Sequence, residues 1–145
     1  MNDPIRVAIV DDDSSFRQAV CGWLDGASDV EIVGETQGGP GVLHWLGEVQ
    51  PEVLLLDIAA LSAAQMREVT AQAKVIVLHL PGQEQLVLTA LRAGALGHLD
   101  KGSVRPSQAI AAIRAARRGT AFLSPAMAGR ILDEVIQHLK QRDAQ

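Results

Sequence analysis

The side chains with the clearest chemical reach in this 145-residue chain are acids, and they stand where apolar runs end. Asp11, Asp12 and Asp13 follow the run 6–10, Asp57 follows 53–56, His79 closes on the end of 75–80, and Lys101 comes just after 97–99. Carboxylates gathered from two such ends repel one another by a few kcal/mol per pair, at about 4 Å and an effective dielectric near 20. A hard divalent cation relieves that repulsion, and an all-oxygen donor set suits Mg²⁺. Lys101 adds a compact positive charge of the kind that holds a phosphoryl oxygen. An acidic turn ahead of a helix has a plainer use, because anions there complement the helix dipole. Asp57 and Lys101 at neighbouring ends tip the balance towards a site.

Positioning such residues requires a particular set of elements. The runs 6–10, 30–34, 53–56, 75–80 and 97–99 are short, continuously apolar and β-rich, as strands covered on both faces are. Helical periodicity fills the gaps. Phe16, Ala19, Val20, Trp23 and Leu24 make one stripe behind a cap at Ser14 or Ser15, and 41–48, 62–71, 83–93 and 106–118 supply four more helices. Strands alternating with helices specify parallel pairing through crossovers: a doubly wound α/β domain with a five-stranded parallel sheet, closing near residue 120. In such a sheet, chemistry gathers at the carboxyl ends of the strands, where the acids and Lys101 fall. Ser124-Pro125 then starts a sixth helix as N-cap followed by Pro, with Met127, Ile131, Leu132, Val135, Ile136 and Leu139 on one apolar face.

Composition narrows the function classes. With 48% hydrophobic and 21% charged residues the chain is neither disordered nor fibrous. No stretch approaches the roughly 18 apolar residues of a membrane helix, and the start lacks a signal peptide's basic and apolar regions, so a soluble cytoplasmic protein without membrane contact is expected. The single Cys21 allows no internal disulfide. Residues 1–60 hold eleven acids and two bases, whereas 61–145 hold eleven bases and six acids. Lys101 to Arg118 contains five bases and no acid, but Arg114, Arg117 and Arg118 fall on the polar side and last turn of a helix, where cations complement the dipole. Direct nucleic-acid binding by this chain is therefore not expected.

Ile9-Val10-Asp11-Asp12-Asp13, Val53-Leu54-Leu55-Leu56-Asp57-Ile58 and the segment from Leu91 to Lys101 resemble, in order and placement, the receiver domain of two-component response regulators. Arg118-Gly119-Thr120-Ala121-Phe122-Leu123-Ser124-Pro125 is similar to the segment leaving the receiver in LuxR-type (NarL/FixJ) transcriptional regulators. The resemblance implies a flavodoxin-like receiver over 1–120 and a C-terminal linker helix over 121–145, with no output domain. It also implies that Asp57 accepts a phosphoryl group from a sensor histidine kinase. Asp12, Asp57 and the backbone carbonyl of Ala59 would bind Mg²⁺, with Asp11 acting through a metal-bound water and Lys101 contacting the phosphoryl group. Asp13 matches a variable position and stays outside the core site. A homodimer joined through the sixth helix is expected from its apolar face.

Departures from the family pattern are equally specific. Ile58-Ala59-Ala60-Leu61-Ser62 stands where the family usually has a Met-Pro-Gly turn. The interval from Asp57 to His79 is about six residues short, under two helical turns, so a truncated third helix is expected. His79 occupies the position of the switch Ser or Thr, and His98 that of the switch Tyr or Phe. The two imidazoles either join the carboxylates around a softer metal and sense pH, or fill space with ordinary hydrogen bonds; the neighbouring lysine favours the second. Either way, weak coupling between phosphorylation and conformation is expected. Two other functions fit parts of the pattern. One is a pseudo-receiver, an interaction module no longer switched by phosphorylation. The other is a haloacid-dehalogenase-like phosphatase with Asp11 as nucleophile and Asp13 as acid, against which the chain lacks a late acidic pair after Asp57 and room for a cap.

Overall fold

The computed structural model describes residues 3–144. Five parallel strands, β1 (Ile5–Val10), β2 (Val30–Thr36), β3 (Val53–Asp57), β4 (Lys74–His79) and β5 (Gly97–Asp100), lie in the order β2-β1-β3-β4-β5. Six helices accompany them: α1 (Ser14–Asp25), α2 (Val42–Val49), α3 (Ala63–Thr70), α4 (Glu84–Arg92), α5 (Pro106–Arg117) and α6 (Pro125–Asp143). The strands are apolar at successive positions because both sheet faces are covered. Val7, Ile9, Val53, Leu55, Ile76 and Leu78 pack under α1 and α5, whereas Ala8, Val10, Leu54, Leu56, Val75 and Val77 pack under α2, α3 and α4.

Local chemistry sets the element ends. The cap of α1 is Asp13, not Ser14 or Ser15: its carboxylate accepts the Phe16 amide at 3.1 Å, which a carboxylate does more strongly than a hydroxyl at a positive helix end. In the expected α1 stripe Val20 and Leu24 are buried, but Ala19 is exposed. Ser62 and Gln65 close α3 with a reciprocal capping box, and the helix runs for eight residues. At the other end of the sheet's order, Phe122 bridges to Gly97 on the outer edge of β5. Gly97 is required there, since a Cβ would lie 2.8 Å from the Phe122 carbonyl oxygen.

That edge contact delivers the chain to α6, where the Ser124 hydroxyl accepts the Met127 amide at 3.2 Å. The helix lies back against α4. Met127 is buried in the core on that side and Ile131 packs against it, while Arg92 pairs with Glu134 and Arg130 donates to Gln85. Of the six apolar positions expected on one face, Leu132, Val135, Ile136 and Leu139 remain exposed.

Candidate functional site

β1, β3 and β5 end on the same edge of the sheet, and their ends bring Asp11, Asp57 and Lys101 into direct contact. Asp11 is 1% exposed. Its Oδ1 accepts hydrogen bonds from the Asp13 amide at 2.9 Å and from Lys101 Nζ at 3.0 Å. Lys101 Nζ also donates to Asp57 Oδ2 at 3.0 Å, so one ammonium stands between two carboxylates. Its backbone is fixed from both sides: the Lys101 amide donates to the His79 carbonyl at 2.7 Å, and Asp100 turns the chain by accepting the Gly102 amide at 2.8 Å. The ammonium lies 5.2 Å from the centre of the Phe16 ring, a further attraction for its charge.

The electrostatics of this trio are opposed. Burial raises the Asp11 carboxyl above its ordinary value, and the Asp57 charge adds to that, while the hydrogen bonds from Lys101 and the Asp13 amide pull it back. Burial also disfavours the Lys101 ammonium, but its hydrogen bonds and charge contacts with both acids outweigh this and raise its pKa. The deeper group, Asp11, carries the larger burden. Its Oδ2 lies 2.8 Å from Lys101 Nζ, yet no well-oriented hydrogen bond reaches it, leaving a buried acceptor oxygen unsatisfied.

Asp12 and Ala59 flank the trio. Asp12 is exposed and its Oδ1 accepts the Gly38 amide at 2.8 Å, while the Ala59 amide donates to Asp57 Oδ1 at 2.8 Å. Among the described residues no three His, Cys, Asp or Glu side chains are gathered closely enough to hold a metal as they stand. The donor chemistry nonetheless suits Mg²⁺: the side chains of Asp11, Asp12 and Asp57 offer only oxygen, and the buried Asp11 Oδ2 has no oriented hydrogen bond to give up. The Gly38 amide engages one Asp12 oxygen, and a carboxylate has a second to offer an ion.

The histidines do not join this cluster. His79 and His98 are both buried, and they bond to each other, Nε2 to Nδ1, at 3.0 Å. His98 faces inward because the segment at Phe122 and Ser124 covers its edge of the sheet. Arg17 was not legible as a site residue. One turn into α1, it donates to the Asp11 carbonyl and pairs with Glu35 at 3.3 Å, bracing the acidic loop; its spacing of four from Asp13 was the only available signal. The basic residues of α5 face acids: Arg114 makes a two-pronged pair with Asp29 at 2.8 and 2.9 Å, and Arg117 meets Glu52 at 3.1 Å.

A family model for the response regulator receiver domain matches residues 7–114. The chain belongs to that family. It is 30% identical to the transcriptional regulatory protein YxjL of Bacillus subtilis, over 99% of this chain and 68% of that protein. A solved receiver domain of the response regulator NarL from Mycobacterium tuberculosis is 29% identical, with a TM-score of 0.67 over 80% of this chain and 98% of that one. The receiver of RcsB from Salmonella enterica, solved with a phosphomimetic, shares the fold at a TM-score of 0.75 and 18% identity, over 87% of this chain and 97% of that one. The relatives are LuxR/NarL-type regulators, and the chain spans about two thirds of their length.

Proposed function

We propose that this receiver accepts a phosphoryl group on Asp57 from the phosphohistidine of a sensor kinase. The observation that carries the reading is the Lys101 ammonium held between Asp11 and Asp57, 3.0 Å from the Asp57 oxygen that would be modified. In the reaction Asp57 Oδ2 attacks phosphorus in line, the phosphorus–nitrogen bond of the donor breaks, and its electron pair stays with the departing imidazole. Lys101 then exchanges its contact with Oδ2 for a phosphoryl oxygen. Asp12, Asp57 and the Ala59 carbonyl would hold Mg²⁺, with Asp11 bound through water; the ion supplies charge neutralisation at the phosphoryl oxygens.

Incubation with a small-molecule phosphodonor and Mg²⁺, followed by intact mass, tests this. The wild-type chain should gain one phosphoryl mass and Asp57→Asn none. A wild type that stays unlabelled while an ordinary receiver is labelled would establish the pseudo-receiver reading. That reading draws on both His79 ring nitrogens being engaged. Labelling of Asp57→Asn on Asp11 would favour phosphatase-like chemistry.

In the cell the kinase partner places this reaction in the cytoplasm. We assign its output to transcription, through an output domain of the kind its relatives' names imply, and self-association to the exposed apolar residues of α6, Leu132 and Ile136 with Val135 and Leu139 at the edge of the groove beside α4. Such a stripe is worth covering, because fully burying one side chain of this size contributes roughly 1.5–3 kcal/mol.

A further inference from the structure

His79 and His98 lie in a hydrogen-bonded chain whose two ends both fix its direction. His79 Nδ1 is 3.1 Å from the Leu80 carbonyl, His79 Nε2 is 3.0 Å from His98 Nδ1, and His98 Nε2 is 3.0 Å from the backbone nitrogen of Ser124, the N-cap of α6. A carbonyl only accepts, so His79 Nδ1 carries a hydrogen and, in a neutral ring, Nε2 accepts. His98 Nδ1 must then donate and His98 Nε2 accept. The Ser124 amide, which can only donate, demands the same arrangement from the opposite end. Every link is satisfied with both rings neutral and both hydrogens on Nδ1.

An extra proton cannot be placed without breaking a link. On His98 Nε2 it sets one N–H against the Ser124 amide. On His79 Nε2 it faces the His98 Nδ1 hydrogen, and a tautomer change in His98 only moves the conflict to Ser124. That position matters for α6. Ser124 caps the first turn, Met127 is the buried residue of the helix, and the remaining polar ties to α4, Arg92 with Glu134 and Arg130 with Gln85, are exposed and screened by water.

We propose that the His79–His98 chain is a proton-sensitive latch on α6: neutral, it holds the first turn against β5, and one proton on the pair releases the helix. Release would open the 590 Å³ cavity lined by Leu91, Ala95, Leu123 and Ile131 where α6 leans on α4. The latch needs neither a phosphoryl group nor a metal, and it stands apart from the reading of Asp57. Among the described residues the charged groups around the pair are few. Asp100 on β5 favours a proton on His98, Glu84 at the start of α4 feels the His79 charge, and Arg130 on α6 feels Glu84. Burial is the main cause that holds His98 below its ordinary value despite Asp100, and a proton on the neighbouring His79 would act in the same direction. The docked state thus binds the proton less tightly than the released state. Docking is at full strength above the ordinary histidine value of 6.5 and weakens as pH falls from there towards the lowered docked value.

The test uses the full chain, labelled with ¹⁵N and followed by NMR. At about pH 8, imidazole nitrogen shifts should place the hydrogen on Nδ1 of both His79 and His98, with Nε2 of each unprotonated. Amide protection at Ser124 and through the first turns of α6, corrected for the intrinsic pH dependence of exchange, should fall up to tenfold per pH unit below the histidine range, the limit for release coupled to one proton. His98→Phe, which removes the acceptor, should show low and pH-independent protection in α6 with the sheet amides still protected. A hydrogen on Nε2 of either histidine at about pH 8, or wild-type protection in α6 that does not respond to pH, overturns the latch without reliance on any variant. A pH response that persists in His98→Phe overturns it as well.

Discussion

Among the described residues Lys101 is the one cation between Asp11 and Asp57, so Lys101→Met asks directly how the site is balanced. Methionine keeps an unbranched stem and removes the charge. Breaking a fully buried ion pair by deleting one partner costs about 3–5 kcal/mol, whereas exposed pairs contribute about 0–1 kcal/mol. Asp11 is 1% exposed and Asp57 20%, so only the Asp11 contact approaches the buried figure, and we expect a loss of about 2–3 kcal/mol at neutral pH. The loss has a pH signature. Burial already raises Asp11 while Lys101 pulls it back, so without Lys101 the folded value rises further. A raised folded value means that the native state binds the proton more tightly than the unfolded chain. The stability linked to that proton is present below the ordinary carboxylate value and is lost as pH rises through the folded value. The deficit of Lys101→Met should therefore be largest near neutrality and close on acidification. Urea unfolding followed by Trp23 and Trp45 fluorescence across a pH series measures it. Added Mg²⁺ should stabilise the variant more than the wild type, because it takes over the neutralising role. A deficit below about 1 kcal/mol at neutral pH, or one that is flat with pH, would refute the argument.

Other outcomes follow from the same geometry. Gly97→Ala places a methyl 2.8 Å from the Phe122 carbonyl, and overpacking of this kind costs about 1–3 kcal/mol by urea unfolding; a neutral substitution would show that the Phe122 segment moves freely. Ending the chain at Leu123 removes the exposed face of α6, and sedimentation should show the full chain as a dimer and the shortened one as a monomer; equal monomer masses would sink association through this helix. Beryllofluoride with Mg²⁺ should shift amide exchange little in the wild type and more in His79→Thr, since hydroxyl-based switching is restored. A large wild-type shift, unchanged or reduced in His79→Thr, would show histidine to be a competent switch.

Much of the fold was legible because the strands are apolar at consecutive positions, which only a sheet covered on both faces requires, and because Ser62, Pro106 and Ser124-Pro125 mark helix starts locally. The contact of Asp11, Asp57 and Lys101 was legible for a topological reason: carboxyl ends of parallel strands share an edge. The cap of α1 was misplaced because three aspartates precede two serines, and spacing alone does not say which side chain turns back to the Phe16 amide. The inward turn of His98 was not legible, since the cover on that edge of β5 comes from Phe122 and Ser124, more than twenty residues later in the chain. The spacing of the apolar residues of α6 predicts a single stripe. Packing divides it: Met127 and Ile131 reach the core, Val135 and Leu139 line an open groove beside α4, and Leu132 and Ile136 stay exposed.

The end of β4 supplies the reason to expect weak coupling between Asp57 and the rest of the chain. The His79 carbonyl receives the Lys101 amide at 2.7 Å, and its ring is bonded to Leu80 and His98, so the backbone that positions the lysine and the ring at the switch position belong to one residue. A hydroxyl at that position would have a donor to spare for a new acceptor. The His79 ring has none, because its single N–H is already given to the Leu80 carbonyl and its other nitrogen is receiving one. To reach a phosphoryl oxygen, the imidazole must surrender a bond of similar worth and disturb the His98 and Ser124 links behind it. A ligand moves an equilibrium only by its differential interaction with the two states, and a one-for-one exchange of hydrogen bonds leaves little difference. Working switches couple by about 1–3 kcal/mol, and we expect a phosphomimetic bound at Asp57 to show less than that in amide exchange.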